Sequence, residues 1–153
     1  MTIASRLAEL GIALPQPAAP VAAYVPAVLT GNLLYVSGQL PFEKGEVMVG
    51  RLGEDRDVEF GYAAARACGI MLLAQIDRAL GGLDRVERVV KLGVFVNSVA
   101  SFTAQPRIAN GASELMEQVF GEAGRHARSA VGVPVLPMGA AVEIDAIVAV
   151  RPD

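Results

Sequence analysis

The chain alternates between stretches with apolar residues at every second position and stretches with them at every third or fourth. The first period predicts strands and the second helices. Residues 3–11 open with Ile3, Leu7 and Leu10 on one side of a short helix. Residues 14–20 hold three prolines, so they form an extended arm and not the interior of an element. Two apolar runs follow, 21–29 and 33–36, separated by Thr30-Gly31-Asn32. Gly-Asn between such runs predicts a hairpin, and Pro26 makes the first run an edge or bulged strand. Ser37-Gly38-Gln39 closes the second strand. Residues 41–53 read as a loop with one short strand over 46–49.

Residues 55–80 form the longest helix candidate, with Ala64, Ala67, Met71, Ala74 and Ile76 roughly at helical spacing and Gly81-Gly82 as its stop. Residues 86–97 alternate as a strand, with Val90, Leu92, Val94 and Val96 on one face. Val89, Lys91, Gly93, Phe95 and Asn97 fall on the other. Residues 112–120 predict a second helix, carrying Leu115, Met116, Val119 and Phe120 and ended by Gly121 and Gly124. Strands over 127–133 and 141–150 finish the chain, joined through Leu136-Pro137-Met138-Gly139. This order predicts an α+β two-layer domain: a mixed six-stranded sheet with two helices on one face. The other face still carries Val, Leu and Ile, so neighbouring subunits are expected to cover it. No repeat, low-complexity tract or linker divides the chain. The expected organisation is an arm over 1–20 and one domain over 21–153.

Composition sharpens this picture. Of the 153 residues, 53% are hydrophobic and 19% charged, a more apolar balance than an average soluble domain. The most apolar stretch, 62–80, contains Arg66, Gln75, Asp77 and Arg78. A spanning helix needs about 20 residues with few charges, so no membrane span is expected and a subunit interface is the better sink. The formal charge is −3, with no run of five basic residues, which argues against nucleic acid as a partner. The single cysteine, Cys68, excludes an internal disulfide and is expected in the core. The N-terminus shows no secretory pattern, so the cytoplasm is the expected compartment.

Candidate chemistry narrows by elimination. One His and one Cys cannot supply a zinc site of the usual ligand types. Glu143 and Asp145 share a strand face, but two carboxylates alone are weak grounds for a metal. No Gly-rich phosphate motif is present. His126 has no partner that the sequence forces into a triad, so a loop or interface role is expected for it. Arg128 stands out. It opens a strand of small and apolar residues, and Ala130 and Gly132 on its face leave space beside it. A guanidinium facing a notch can fork a carboxylate; equally, it can pair with Glu143 or Asp145. Glu143 lies in an apolar strand and must be paired, hydrogen-bonded or neutral. If desolvated it could exchange protons near neutral pH; it could equally serve as a strut.

At these residues the chain resembles the Rid family (reactive intermediate deaminases, also called YjgF-like or endoribonuclease L-PSP proteins). The resemblance rests on Ala127-Arg128-Ser129-Ala130-Val131, Leu136-Pro137 and Val142-Glu143-Ile144-Asp145-Ala146-Ile147. Upstream it adds Tyr24, Gly31-Asn32, Val36-Ser37-Gly38-Gln39, Pro41 and the strand from Val90-Lys91 to Phe95-Val96. It covers about residues 21–151. The resemblance implies a chorismate-mutase-like fold, a homotrimer with clefts between subunits, and no cofactor. It also implies hydrolytic deamination of short-lived enamines and imines, such as the 2-aminoacrylate made by pyridoxal-phosphate enzymes. In that picture Arg128 holds the carboxylate of a small substrate and Glu143 positions the attacking water. The Ala130 backbone meets the substrate nitrogen, Tyr24 and Ser37 line the cleft, and Asn110 matches a family Asn across the interface. Ala130 replaces the usual Cys, and Gly132 a frequent Glu. The region 102–125 is long, and the arm over 1–20 is extra. These departures mark a divergent subgroup, in which a non-catalytic module for small carboxylates or ketoacids, or an RNA-cleaving enzyme, stand as the other readings.

Overall fold

The computed structural model describes residues 1–20 and 22–153; the start of the first expected strand, Val21, lies outside them. Helix α1 (Ile3–Glu9) is capped by Thr2, whose side chain accepts from the Ser5 amide. The proline-rich stretch after it forms neither helix nor strand. Strand β1 (Ala27–Thr30) begins only after Pro26, whose ring has no amide hydrogen to give a ladder. It turns through Gly31, at φ 60°, into β2 (Leu33–Gln39).

β2 bulges between Val36 and Gln39 where it pairs with the last strand. Strands β3 (Phe42–Glu43) and β4 (Glu46–Val47) then pair only with each other. The main sheet therefore has five strands and not six: the short segment expected within 41–53 closes its own small hairpin.

Asp57 caps helix α2 (Val58–Leu80) by accepting from the Phe60 amide, and Gly81 at φ 71° ends it. Strand β5 is Val86–Asn97. Helix α3 (Gln105–Phe120) starts two turns earlier than the apolar pattern implied. Pro106 sits in its first turn, where a missing amide costs nothing. A short 3-10 turn at Gly121–Gly124 leads to β6 (Ala127–Val133), and another at Pro137–Gly139 leads to β7 (Val142–Val150).

The five-stranded order is β1-β2-β7-β5-β6, antiparallel except for the parallel β5–β6 pair at one edge. Helices α2 and α3 pack on each other and on one face of this sheet, and α1 leans on α3 with Leu7 buried. Leu34, Leu72, Leu73, Ile76, Leu92, Ile108, Leu115, Met116 and Ile144 are fully buried between the layers. Cys68 is buried there as a free thiol. The helices approach closely at Gly111, where a Cβ would strike the Tyr62 backbone. Two register shifts in β5, at Val86/Arg88 and Val89/Lys91, correct its expected facing. An inserted residue flips the alternation, so Val89 is buried with Leu92, Val94 and Val96 while Val90 is only half-buried.

Among the described residues nothing covers the opposite face. Tyr35 and Val131 are 45% and 47% exposed there, with Phe95 and Ile147 half-buried between them. Among the described residues no helix is long and apolar enough to cross a membrane.

Candidate functional site

Register assigns each candidate side chain to a face. Arg128 pairs with Leu92, Leu92 with Ala146, and Ala146 with Val36; the last three are all buried under the helices. Arg128 therefore projects to the helix side, at the exposed edge of the sheet. Its Nη1 donates to Asn110 Oδ1 at 2.9 Å and to Ser113 Oγ at 3.1 Å. Asn110 and Ser113 are three residues apart on α3 and so share one helix face. Among the described residues Arg128 makes no ion pair. A cation held by two neutral acceptors keeps its charge available to an anion.

His126 completes this cluster. Its Nδ1 lies 2.6 Å from the Gly124 carbonyl and its Nε2 2.9 Å from Ser113 Oγ. A carbonyl only accepts, so the bonding pattern assigns the proton to Nδ1 and makes Nε2 the acceptor of the Ser113 hydroxyl. Burial lowers the His126 pKa, the Gly124 bond opposes this, and the Arg128 charge lowers it further, with a net downward shift. This downward shift favours the neutral imidazole that the bonding pattern calls for. An open cavity of about 280 Å³ faces these groups, with Glu114, Glu117 and Arg125 on its rim. Tyr62 donates from its hydroxyl to Glu114, whose carboxylate raises the phenol's pKa.

Glu143 lies elsewhere. It pairs with Phe95, which pairs with Val131, so its row belongs to the open face. Burial pushes the Glu143 carboxyl up, and the negative charge of Asp145 adds to the shift. Asp145 is raised by burial as well, against the lowering effects of the Gly93 amide and Lys91. A Cβ at Gly38 would meet the end of the Glu143 side chain, so the glycine leaves the carboxylate room beside β2. Beside it, the Ser37 hydroxyl donates to the Val25 carbonyl at 2.9 Å. Tyr24, 58% exposed, lines a second cavity of about 290 Å³ together with Gly38, Gln39 and Gln75.

The candidate residues thus fall into two groups. Asn110, Arg128 and Ala130 gather on the helix side of the β6 edge; Glu143, Ser37 and Tyr24 gather around the far end of β2. The expected alternative, an ion pair of Arg128 with Glu143 or Asp145, does not form, because those carboxylates point to the other face. Ala130 shares Arg128's face and packs against the core. Gly132 leaves no empty notch: a Cβ there would meet Ser98 Oγ at 2.7 Å and Gln105 Nε2 at 2.8 Å. The open space beside Arg128 lies over α3 instead. Sequence reasoning missed Ser113, whose signal was its three-residue spacing from Asn110 on a helix that begins earlier than the apolar stripe. Among the described residues no three metal-ligating side chains converge.

Residues 4–148 match the family model described as "YjgF/chorismate mutase-like, putative endoribonuclease". Protein TCP17 of Trypanosoma cruzi is 57% identical over 148 residues, which is 95% of this chain and 92% of that protein. A 2-iminobutanoate/2-iminopropanoate deaminase of Dermatophagoides farinae is 30% identical over 139 residues, covering 90% and 91%. Among solved structures, the Agrobacterium tumefaciens protein Atu1372 superposes with a TM-score of 0.91 at 52% identity, covering 97% of this chain and 92% of that one.

Proposed function

The chain belongs to the YjgF/chorismate mutase-like family, and on that premise we propose that it hydrolyses short-lived imines and enamines that bear a carboxylate. The observation that carries this reading is the state of Arg128, a half-buried guanidinium held by Asn110 and Ser113 and open to an anion. The kinship with an iminobutanoate/iminopropanoate deaminase supports the same substrate class.

In the proposed reaction an enamine such as 2-aminoacrylate first tautomerises to its imine. Arg128 grips the carboxylate and fixes the C=N carbon in place. Glu143, whose proton affinity is raised by burial, takes a proton from water as the water oxygen bonds to that carbon. Glu143 passes that proton to the imine nitrogen, giving a carbinolamine. The carbinolamine's hydroxyl proton then moves to the amine as the C–N bond breaks, so nitrogen leaves as ammonia and a 2-oxo acid remains. The Ala130 backbone contacts the substrate nitrogen, and Tyr24 and Ser37 line the cleft.

One chain holds Arg128 and Glu143 on opposite sheet faces, so this reading requires Glu143 from a neighbouring copy. We therefore place the reaction in clefts between the subunits of a trimer. The uncovered Tyr35–Phe95–Val131–Ile147 face supports such an assembly.

The test is to generate 2-aminoacrylate in situ and follow ammonia and pyruvate with wild type and Arg128→Ala. Acceleration by wild type alone is the expected result. No acceleration by a folded wild type would remove this substrate. The separation of Arg128 from Glu143 within one chain favours a second reading, a non-catalytic module that binds small ketoacids through Arg128. Pyruvate binding without turnover of the imine would select it.

A further inference from the structure

A guanidinium has five N–H donors, and the way Arg128 uses them is asymmetric. Both hydrogens of Nη1 are spent, one on Asn110 Oδ1 and one on Ser113 Oγ. Among the described residues Nε and Nη2 make no hydrogen bond, and neither is a buried atom lacking a partner. Those two atoms form one edge of the plane, the edge that can fork both oxygens of a carboxylate. One nitrogen is the tether and the opposite edge is the receptor.

The tether needs Ser113 to accept and not to donate. A serine inside a helix can turn its hydroxyl to the carbonyl four residues back. Here His126 Nε2 takes that hydroxyl hydrogen instead, at 2.9 Å. The Gly124 carbonyl holds the imidazole on its other side, at 2.6 Å. The Ser113 lone pairs are left facing Arg128. The chain of donation runs from Arg128 to Ser113, from Ser113 to His126, and from His126 to the backbone.

We infer that Ser113 and His126 are positioning residues that aim the Nε/Nη2 edge of Arg128 at the substrate carboxylate. This rests on the reading of Arg128 as carboxylate anchor. Neither residue touches the reacting atoms; they act through the guanidinium. The neutral state of His126 is part of the device, because a proton on Nε2 would turn the acceptor into a donor. Glu114, Glu117 and Arg125 also face this cavity, so a plain pH profile would mix several groups. Substitution separates them.

The experiment measures pyruvate affinity by calorimetry and 2-aminoacrylate kinetics for four variants. Ser113→Ala, a mild change on a helix, should weaken pyruvate binding and raise KM by about tenfold, with a much smaller effect on kcat. His126→Phe should act in the same direction by about threefold, and Ser113→Thr, which restores the hydroxyl, should recover most of the loss. Arg128→Ala sets the floor. Thermal melts establish that Ser113→Ala and His126→Phe are folded. If Ser113→Ala and His126→Phe bind like wild type while Arg128→Ala does not, the relay is wrong and the anchor stands. If Arg128→Ala also binds like wild type, the anchor falls and takes the relay with it. A drop in kcat at unchanged KM in Ser113→Ala would assign the hydroxyl to the chemical step and overturn its positioning role.

Discussion

Arg128 and Glu143 stand on opposite faces of one sheet, Arg128 in the row of buried Leu92 and Glu143 in the row of Phe95 and Val131. One strand separates the positions in the ladder, β5 lying between β6 and β7. No rotamer change in a single chain brings the guanidinium and the carboxylate to one small substrate.

That separation makes complementation the sharpest test of shared clefts. Arg128→Ala and Glu143→Gln should each be nearly inactive as pure proteins. Co-refolding equal amounts should restore about a quarter of wild-type turnover, the fraction of clefts that combine an intact Arg128 with an intact Glu143 from different copies. Turnover that stays at the low level of the separate variants would show that one chain supplies both groups, and an active pure variant would show that its group is unnecessary.

Arg128→Lys should not rescue Arg128→Ala. A lysine ammonium is a point charge and cannot stay tethered to Asn110 and Ser113 while forking a carboxylate. The expected kcat/KM for imine hydrolysis is down by about a hundredfold in both variants. Near-wild-type kinetics for the lysine variant would mean that charge alone is required.

Glu143 links the site to stability. Its folded pKa is raised, by burial first and Asp145 second, so the folded chain holds this proton more tightly than the unfolded chain does. The stabilising contribution is complete below the ordinary carboxylate value and is lost as pH rises through the raised one. Glu143→Gln should melt higher than wild type at neutral pH, by about a degree or two, and the gap should close as pH falls towards the ordinary carboxylate range. Melts across pH 3–8 (about that span suffices) would check this, and an offset that does not vary with pH would speak against a desolvated carboxylate.

Gly111 sets how closely α3 approaches α2. Gly111→Ala should destabilise the chain by about 1–3 kcal/mol in denaturant titrations, because the added methyl meets the Tyr62 backbone, which cannot move aside as a side chain could. An unchanged midpoint would mean that the helices separate at no cost.

Much of this was legible in the sequence, for identifiable reasons. The bounds of β5 and β6 follow from alternation bounded by glycines and polar residues, and Gly81 marks the end of α2. The start of α3 was hidden because Pro106, Asn110 and Gly111 carry no apolar stripe, although their neighbours Ile108 and Ala109 are buried. The facing of Val89 and Val90 was lost to a bulge, which strict alternation cannot foresee. The Arg-Ser and Val-Glu segments pointed to Arg128 and Glu143 by resemblance. The hold on Arg128 could not be read, since Ser113 and His126 meet it only after α3 folds across the β6 edge.

The sheet face bearing Tyr35, Phe95, Val131 and Ile147 also has a meaning in time. Packing α2 and α3 onto the sheet is an event within one molecule, and its pace is independent of how many copies are present. In the proposed trimer the cover of the opposite face arrives from outside the chain, so its pace depends on concentration. On that proposal a newly folded chain passes through an interval in which Tyr35, Phe95, Val131 and Ile147 are wet, and dilution lengthens that interval. If the trimer forms as proposed, dilute refolding should therefore give more aggregate than refolding at a concentration that favours encounter between copies.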